Sequence, residues 1–368
     1  ALAGLLAAAA AEATPQFARR YAVGCGQCHV LPPKLNAFGE QFLASGYEAP
    51  LEPVATHPLA VWVSGRGESR PTTQGRDEVG PFFNRVELIS GGKLGASWLS
   101  YFVEWRVVSQ ETRGDGTLRD RAGRFEDLFV SAALGEEWEL KVGQFRPLAQ
   151  IDVSRRLWLS EPLVPSSGLA GVGDGTARER SLRGFSAAGR SPGLLLGWNR
   201  SLAGDWRWTT AATLAVPGEI SIPLTSEAKL EASHEIELEA KGIFVESFLR
   251  HGLTSVGAHV FYDDADRYLG HAIGTLARGP LHGAIMAGVA AQRGTTRGRW
   301  SVEGEYLPGG RWGLGLRLED QAADGAEPAL LPYFVWHWAR KYQRLTATVE
   351  QRVQEGRNAT LIEVGLLF

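Results

Sequence analysis

The sequence of 368 residues has two cysteines, one methionine and almost no net charge. It contains no uninterrupted run of the roughly 20 apolar residues that a membrane-spanning helix requires, and only a partial run at the extreme N-terminus approaches that length. The formal charge of −3 differs from the strong basic excess of most nucleic-acid-binding proteins, so we expect no nucleic-acid partner. With 44% hydrophobic and 21% charged residues, the chain is not disordered throughout.

The first thirteen residues have the pattern of an export signal. Leu2 to Ala11 form an apolar run of mostly Ala and Leu, and Ala11-Glu12-Ala13 matches the small-x-small sequence that signal peptidase cleaves. No basic region precedes the run, so we predict that residues 1–13 are a partial signal peptide. The mature chain then begins near Thr14, outside the cytoplasm. The alternative is a short N-terminal helix of the mature protein.

Both cysteines belong to one motif, Cys25-Gly26-Gln27-Cys28-His29, which has the C-x-x-C-H pattern of a c-type haem attachment site. Two thiols at this spacing can form thioethers to both vinyl groups of one porphyrin, and the adjacent histidine then binds the iron as proximal ligand. Alternative interpretations are a thioredoxin-like redox pair, half of a zinc site and a structural disulfide. No βαβ pattern surrounds the motif, and the next histidine is His57, so we predict one covalent haem c on Cys25, Cys28 and His29.

Residues 14–53 form the predicted haem-binding segment, with one helix expected around 35–45. About 40 residues rarely bury enough apolar surface to fold alone. Haem supplies part of the missing stabilisation, and we expect the rest to come from the chain that follows.

Residues 57–368 alternate between apolar and polar side chains with a period of two, which is typical of β-strands with two different faces. A soluble β-sandwich has the same alternation, but three features favour a membrane barrel. Trp and Tyr lie near strand ends, short and long connections alternate, and the chain ends in an amphipathic strand, 362–368, with a terminal Phe368. We predict an all-β fold, a transmembrane antiparallel β-barrel of about 16 (16–18) strands.

The lengths of the connections predict the topology. If Phe368 ends in the periplasm, the first strand also starts there, and the small α-helical haem segment plugs or caps the periplasmic side. The same alternation predicts a tight periplasmic turn at 190–192. Segment 217–241 does not fit, because 217–227 is too long for a periplasmic turn.

The haem segment and the barrel together resemble a known family. The segment reads Phe17-Ala18-Arg19-Arg20-Tyr21, then the C-x-x-C-H motif, then 32–39, Pro-Pro-Lys-Leu-Asn-Ala-Phe-Gly. This layout is similar to the fused monohaem cytochrome–porins of iron-oxidising bacteria, although 142–147, Val-Gly-Gln-Phe-Arg-Pro, also looks like phosphate-selective porins. The resemblance implies an outer-membrane protein of a Gram-negative bacterium that oxidises extracellular Fe(II). The electron then passes through the haem to a periplasmic carrier, a cytochrome or a copper protein.

This function requires two further sites, a sixth ligand for the haem iron and a docking site for Fe(II). The sixth ligand of the haem iron is predicted to be His57 or Met286. Other histidines that alternate onto lumen-facing positions are His259, His282 and His337. Fe(II) is predicted to dock at a cluster of carboxylates, Asp263, Asp264 and Asp266, because hard oxygen ligands suit a labile divalent cation.

Three functions remain open from the sequence. The first is the Fe(II)-oxidising cytochrome. The second is an electron conduit of the same build for another donor or acceptor, and the third is a solute porin whose haem is structural. No motif of a serine hydrolase, a P-loop enzyme or a dinucleotide-dependent enzyme is present.

Overall fold

The computed structural model describes residues 15–54, 59–69, 78–112, 118–120, 123–147, 156–159, 190–216, 218–221, 233–236, 241–263, 267–292, 295–320, 327–340, 343–354 and 358–368. The predicted signal peptide lies outside these residues. Within the described ranges, no helix is long and apolar enough to cross a membrane.

The N-terminal part of the described chain is short and partly helical. Its elements are α1 (Pro15–Tyr21), a 3₁₀ turn (Cys25–Gln27), β1 (His29–Leu31), β2 (Lys34–Leu35) and α2 (Ala37–Ala44). Strands β1 and β2 form an antiparallel hairpin, and α2 lies within the range 35–45 predicted to be helical.

Nineteen further strands follow. They are β3 (Leu59–Ser69), β4 (Glu78–Leu94), β5 (Ala96–Thr112), β6 (Leu118–Asp120), β7 (Arg124–Leu134), β8 (Trp138–Phe145), β9 (Ser191–Ser201), β10 (Trp206–Ala215), β11 (Gly218–Ser221), β12 (Ser233–Ile236), β13 (Gly242–His251), β14 (Thr254–Asp263), β15 (Arg267–Arg278), β16 (Leu281–Gln292), β17 (Thr295–Gly309), β18 (Trp312–Glu319), β19 (Ala329–Arg340), β20 (Gln343–Arg352) and β21 (Ala359–Leu367). All but β6, β11 and β12 form the wall of a closed antiparallel barrel of 16 strands, in agreement with the predicted number. Strand β21 pairs with β3, with Leu366 opposite Val63, and this pairing closes the sheet.

The two ends of the barrel differ in their connections. One end, called the short-turn end below, carries tight turns such as Gly252–Leu253 and Gly279–Pro280, whose glycines have φ values of 58° and 57°. Glycine takes positive φ without steric cost, so these turns connect adjacent strands in two residues. The opposite end, called the long-loop end, carries the connections 113–123, 146–190 and 216–241.

One detail of the predicted topology is wrong, and the segment that did not fit it is explained. Ser191 does not lie in a short turn: it pairs with Phe145 at the long-loop end and begins β9, whose short turn is at 202–205. Segment 217–241 lies between β10 and β13, which pair directly, with Ala211 opposite Glu246. Its strands β11 and β12 pair with each other outside the wall order, so the segment is a long connection at the long-loop end.

The strand alternation separates an apolar outer face from a polar lumen, as predicted. In β18, Leu314 and Leu316 are exposed on the outside, whereas Arg317 and Glu319 are buried on the inside. The final strand repeats this arrangement, with Ile362, Val364 and Phe368 outside and Glu363 inside. An apolar outer surface of this kind needs lipid or protein to cover it.

Ion pairs cross the lumen-facing side of five neighbouring strands, β21, β3, β4, β5 and β7. Arg66 Nη2 lies 2.6 Å from Glu363 Oε2, and Arg106 Nε lies 2.6 Å from Glu87 Oε1 and 2.9 Å from Glu126 Oε1. The network comprises Arg66, Arg85, Glu87, Arg106, Glu126 and Glu363. Each carboxylate therefore has a guanidinium partner, which buried charges require.

A charge on the outer face tests whether this face contacts lipid. Ile285 lies on the outside near the middle of β16 and is 55% exposed. We expect Ile285→Arg to destabilise the barrel by about 2–4 kcal/mol in lipid vesicles, because a charge at the bilayer midplane loses its hydration. Reversible urea unfolding measures this cost, and Ile285→Leu is the control. Equal stability of the two variants would contradict a lipid-facing position.

Candidate functional site

The C-x-x-C-H motif is held in place by Asn36. Its Nδ2 donates hydrogen bonds to the carbonyls of Gly26 and Gln27, both at 3.0 Å, and its Oδ1 accepts one from Gly39 N at 2.9 Å, as the N-cap of α2. Asn36 N also donates to the carbonyl of Cys28 at 2.9 Å. One side chain thus ties the C-x-x-C-H motif to the helix that follows it.

Gly39 allows the close approach of α2 to the motif. A Cβ atom at this position would lie 2.2 Å from the carbonyl oxygen of Cys28, a distance that no side chain tolerates. Asn36 and Gly39 therefore give a physical reason for the Asn-x-x-Gly pattern after the motif. These roles depend on the folded contacts of α2 and were not predicted from the sequence.

The backbone holds His29 in one tautomer. Its Nδ1 lies 3.0 Å from the carbonyl oxygen of Pro33. A carbonyl only accepts hydrogen bonds, so Nδ1 carries the proton and Nε2 keeps a free lone pair. Loss of solvation, with the positive charge of Arg344 as a smaller cause, lowers the pKa of His29 to about 3. The imidazole is therefore neutral at pH 7, which is the form that binds a metal.

The two thiols are not joined in a disulfide. Burial raises the pKa of Cys28 to about 11, with a smaller contribution from Cys25. Cysteines that act in redox exchange have a lowered pKa, so these thiols do not resemble a thioredoxin-like pair.

Two cavities meet at His29. One of about 880 Å³ is lined by Cys28 and His29 and by apolar residues of the N-terminal segment, including Phe17, Leu35 and Phe38. The other, of about 250 Å³, is lined by Cys25, His29, Gly310 and His337. Each cavity thus borders one thiol, and His29 borders both.

These residues fit a c-type haem. Cofactor sites are concave, largely apolar and roughly 300–1,000 Å³ in volume, and the larger cavity is within that range. A porphyrin joined to both thiols would lie where the two cavities meet, next to the free Nε2 of His29.

A buried cation faces the motif. Arg344, on β20, is 4% exposed and interacts electrostatically with both Cys25 and His29. Its guanidinium lies over the ring of Trp62, with Cζ 5.3 Å from the centroid. Among the described residues no carboxylate forms an ion pair with it, although most lumen arginines have such a partner. A bound group with negative charge would complement this arginine.

Aromatic rings join the segment 15–54 to the barrel wall. The ring of Tyr47 stacks on Phe17 and on Phe102 of β5, with centroids 5.2 Å apart in both pairs, and Phe102 continues to Phe129 of β7 at 5.9 Å. These rings belong to one buried cluster that includes Phe42. The segment therefore shares its hydrophobic core with the lumen-facing side of the barrel.

Polar contacts reach other parts of the wall. Lys34 pairs with Glu305 of β17, Lys93 of β4 lies 3.4 Å from Glu48, and Arg19 donates to the carbonyl of Leu59 at the start of β3. Residues 15–54 thus contact lumen-facing residues of several wall strands, so this segment lies inside the barrel. Its partners on β3, β4 and β17 lie near the short-turn end.

A second segment enters the lumen from the long-loop end. Trp158, in the connection between β8 and β9, donates from Nε1 to Glu303 Oε1 at 2.9 Å, and Leu159 N donates to Glu350 Oε2 at 2.8 Å. Residues Leu157 and Trp158 belong to the same buried cluster as Leu31 of the N-terminal segment. The two segments therefore meet within the barrel, a contact that the sequence analysis did not predict.

The structure places the remaining predicted residues as follows. His57, Asp264 and Asp266 lie outside the described residues. Met286 is buried on the inward face of β16 but lines neither cavity beside the motif. Asp263 is buried at the end of β14, where Oδ2 accepts a hydrogen bond from Arg267 Nε at 2.5 Å and Oδ1 accepts one from Arg267 N at 3.0 Å. The prediction of an Fe(II) site therefore stays a prediction.

The inward-facing histidines are spread around the wall. His259 and His271 lie on adjacent strands, with His259 Nε2 2.9 Å from His271 Nδ1, and His282 lies on β16. Of the inward-facing histidines of the wall, only His337 borders the smaller cavity at the motif.

Comparisons with known proteins concern the barrel. No family model matches the chain, and no curated protein shows significant sequence similarity to it. Among solved structures, it is similar to a triple mutant of the Rhodopseudomonas blastica porin, with 10% identity, a TM-score of 0.44, and coverage of 84% of this chain and 100% of the porin. It is also similar to a BenF-like porin from Pseudomonas fluorescens Pf-5, with 10% identity, a TM-score of 0.42, and coverage of 84% and 97%. Sequence identities this low indicate a similar fold and nothing more. The barrel itself is assigned from the strand pairings of this chain.

Breaking one ion pair tests the docking of the N-terminal segment. Lys34→Ala leaves Glu305, whose side chain is 1% exposed, without its cation. We expect docking of residues 15–54 to weaken by about 3 kcal/mol, the low end for a broken buried pair, because Tyr333 Oη, which Glu303 and Glu305 share, stays 3.0 Å from Glu305 Oε1. Hydrogen exchange of the amides in 15–54 measures this loss.

Lys93→Ala is the matched control for this variant. Its partner Glu48 is half exposed, so the change should weaken docking by less than about 1 kcal/mol. Equal exchange in both variants would show that Glu305 does not hold the segment.

Proposed function

We propose that this chain is an outer-membrane c-type cytochrome built into a porin-like barrel. It takes electrons from extracellular Fe(II) and passes them through a covalent haem to a periplasmic carrier. The observation that carries the proposal is the geometry of the motif inside the lumen. Both thiols border cavities that meet at His29, and the hydrogen bond from His29 Nδ1 to Pro33 leaves Nε2 free for iron.

The outer surface supports the location in a membrane. Exposed tryptophans surround the short-turn end, where an interfacial aromatic girdle would lie. They are Trp138, Trp206, Trp312 and Trp338. At the opposite end, Tyr262 and Tyr268 are exposed on the outside of β14 and β15. Exposed apolar residues such as Val256 and Ile285 fill the band between the two ends.

The contents of the lumen support electron transfer over solute transport. Residues 15–54 occupy the short-turn end, and 156–159 reach them from the long-loop end. In the proposed mechanism iron does not need to enter the barrel, because an electron can cross while the ion stays outside. Ferric products are insoluble near neutral pH, so oxidation outside the cell keeps precipitate away from the periplasm.

Each residue of the site has a task in this mechanism. Cys25 and Cys28 would hold the porphyrin, and His29 Nε2 would bind its iron. Haem iron supplies reversible one-electron chemistry when bound. Asn36 holds the motif against α2, and the Pro33 carbonyl orients the imidazole. The guanidinium of Arg344 adds positive charge beside the site.

A solute porin with a structural haem is the second candidate function. The observation in its favour is the barrel itself, since 16 strands enclose a lumen wide enough for an aqueous channel. Ion conductance across planar bilayers would support this candidate.

Anaerobic addition of Fe(II) to the purified, detergent-solubilised protein tests the main proposal. We expect the α band of a ferrous c-type haem to appear within seconds at the working pH. A variant with Cys25→Ser and Cys28→Ser should contain no covalent haem and show no such band. A haem that dithionite reduces and Fe(II) does not would contradict iron oxidation, and a wild-type chain without haem would contradict the proposal as a whole.

The charge of Arg344 should tune the haem potential. A nearby cation disfavours the ferric state, which has one more positive charge than the ferrous state. We expect Arg344→Gln to lower the potential by on the order of 50 mV, the effect of a unit charge roughly 10 Å away at an effective dielectric constant of about 20. Spectroelectrochemical titration measures the shift.

Arg250→Gln is the control for this substitution. Arg250 lines the larger cavity but lies 4.0 Å from the carboxylate of Glu40, so its loss should leave the potential nearly unchanged. An equal shift in both variants would show that Arg344 has no special position beside the haem.

A further inference from the structure

The smaller cavity at the motif borders one histidine of the barrel wall. His337 lies on β19, faces inward and is 3% exposed. It lines the cavity together with Cys25 and His29. The backbone N of His337 donates to the carbonyl of Arg311 at 2.6 Å, which fixes this part of the strand. A rigid wall strand therefore places an imidazole next to the proximal histidine.

The imidazole ring of His337 is buried without the hydrogen-bond partner that a buried polar group normally has. Its Nδ1 is buried and has no hydrogen-bond partner among the described residues. An unsatisfied buried polar group costs about 1–3 kcal/mol, so such groups in native proteins usually bind something that the protein chain does not supply. The ring lines a cavity at a haem motif, which makes a metal ion the fitting partner.

Outside the C-x-x-C-H motif, no other potential haem ligand among the described residues lines the smaller cavity. Met286 lines neither cavity beside the motif. His251 lines the larger cavity, but it is exposed and packs against Trp206, with ring centroids 5.2 Å apart. Lys141 also lines that cavity, and its Nζ lies 3.6 Å from Glu139 and over the ring of Phe129. Of these side chains, only His337 is both buried and unpartnered at the motif.

We propose that His337 is the second axial ligand of the haem iron, on the face opposite His29. This inference rests on the proposed function, because it requires a haem attached at Cys25 and Cys28. Two imidazoles close the iron to oxygen and other exogenous ligands, which suits electron transfer. The bond also ties the N-terminal segment to β19, so the iron joins the segment to the barrel wall.

The test uses the purified full-length protein and reads the coordination of the iron. Wild-type protein should be low-spin in the ferric state by electron paramagnetic resonance, and its ferrous state should not bind carbon monoxide. His337→Ala should become high-spin and bind carbon monoxide stoichiometrically, and added imidazole should restore the low-spin spectrum. His282→Ala, which removes an inward-facing histidine from β16, should behave as wild type.

Further variants keep the inference open to refutation. His337→Met retains a ligand and should stay low-spin with a raised potential, even if the alanine variant does not fold. A low-spin, carbon-monoxide-inert His337→Ala would overturn the assignment. A high-spin spectrum in Met286→Leu or His57→Gln, with His337→Ala unaffected, would also overturn it and identify the ligand.

Failure of the proposed function gives a different result. The pyridine haemochrome assay on the wild-type protein detects covalent haem independently of its sixth ligand. Absence of haem c would refute the proposed function. Presence of haem c with an unchanged His337→Ala spectrum would refute only the assignment of His337.

Discussion

The pairing of β21 with β3 determines where the rest of the molecule lies. It closes the sheet with Leu366 opposite Val63, so the first and last wall strands are neighbours. In an antiparallel barrel of 16 strands, the first strand then begins at the end where the last one finishes. The segment before β3 therefore joins the wall at the short-turn end, beside the opening of the lumen.

The lumen supplies what the N-terminal segment lacks. Forty residues with two short helices cannot enclose a core, and they bury their apolar side chains against the wall instead. Phe17 and Tyr47 pack on Phe102 and Phe129, which the strand alternation directs inward. A haem bound at the motif would add to this core, so binding of the cofactor and docking of the segment stabilise each other.

Local features of the sequence predicted much of this arrangement. The period of two in 311–319 predicted that Leu314 and Leu316 lie on the outside, because lipid and lumen impose opposite polarities on alternate residues. The C-x-x-C-H motif and the helix within 35–45 were also visible locally. Features that depend on contacts between residues far apart in the sequence could not be predicted from it. Nothing near 217–241 shows that β10 pairs with β13, and nothing near His337 shows that it lies beside His29.

The paired charges of the lumen agree with the proposed role in electron transfer. Arginines and glutamates of β3, β4, β5, β7 and β21 pair with one another, so they present little unpaired charge to attract a passing solute. Leu31 meets Leu157 and Trp158 in an apolar contact between the segments from the two ends. This contact packs the two segments closely, as electron tunnelling between them would require. A haem at the C-x-x-C-H motif would therefore be connected to the long-loop end through packed residues of the protein, as the proposed electron transfer requires.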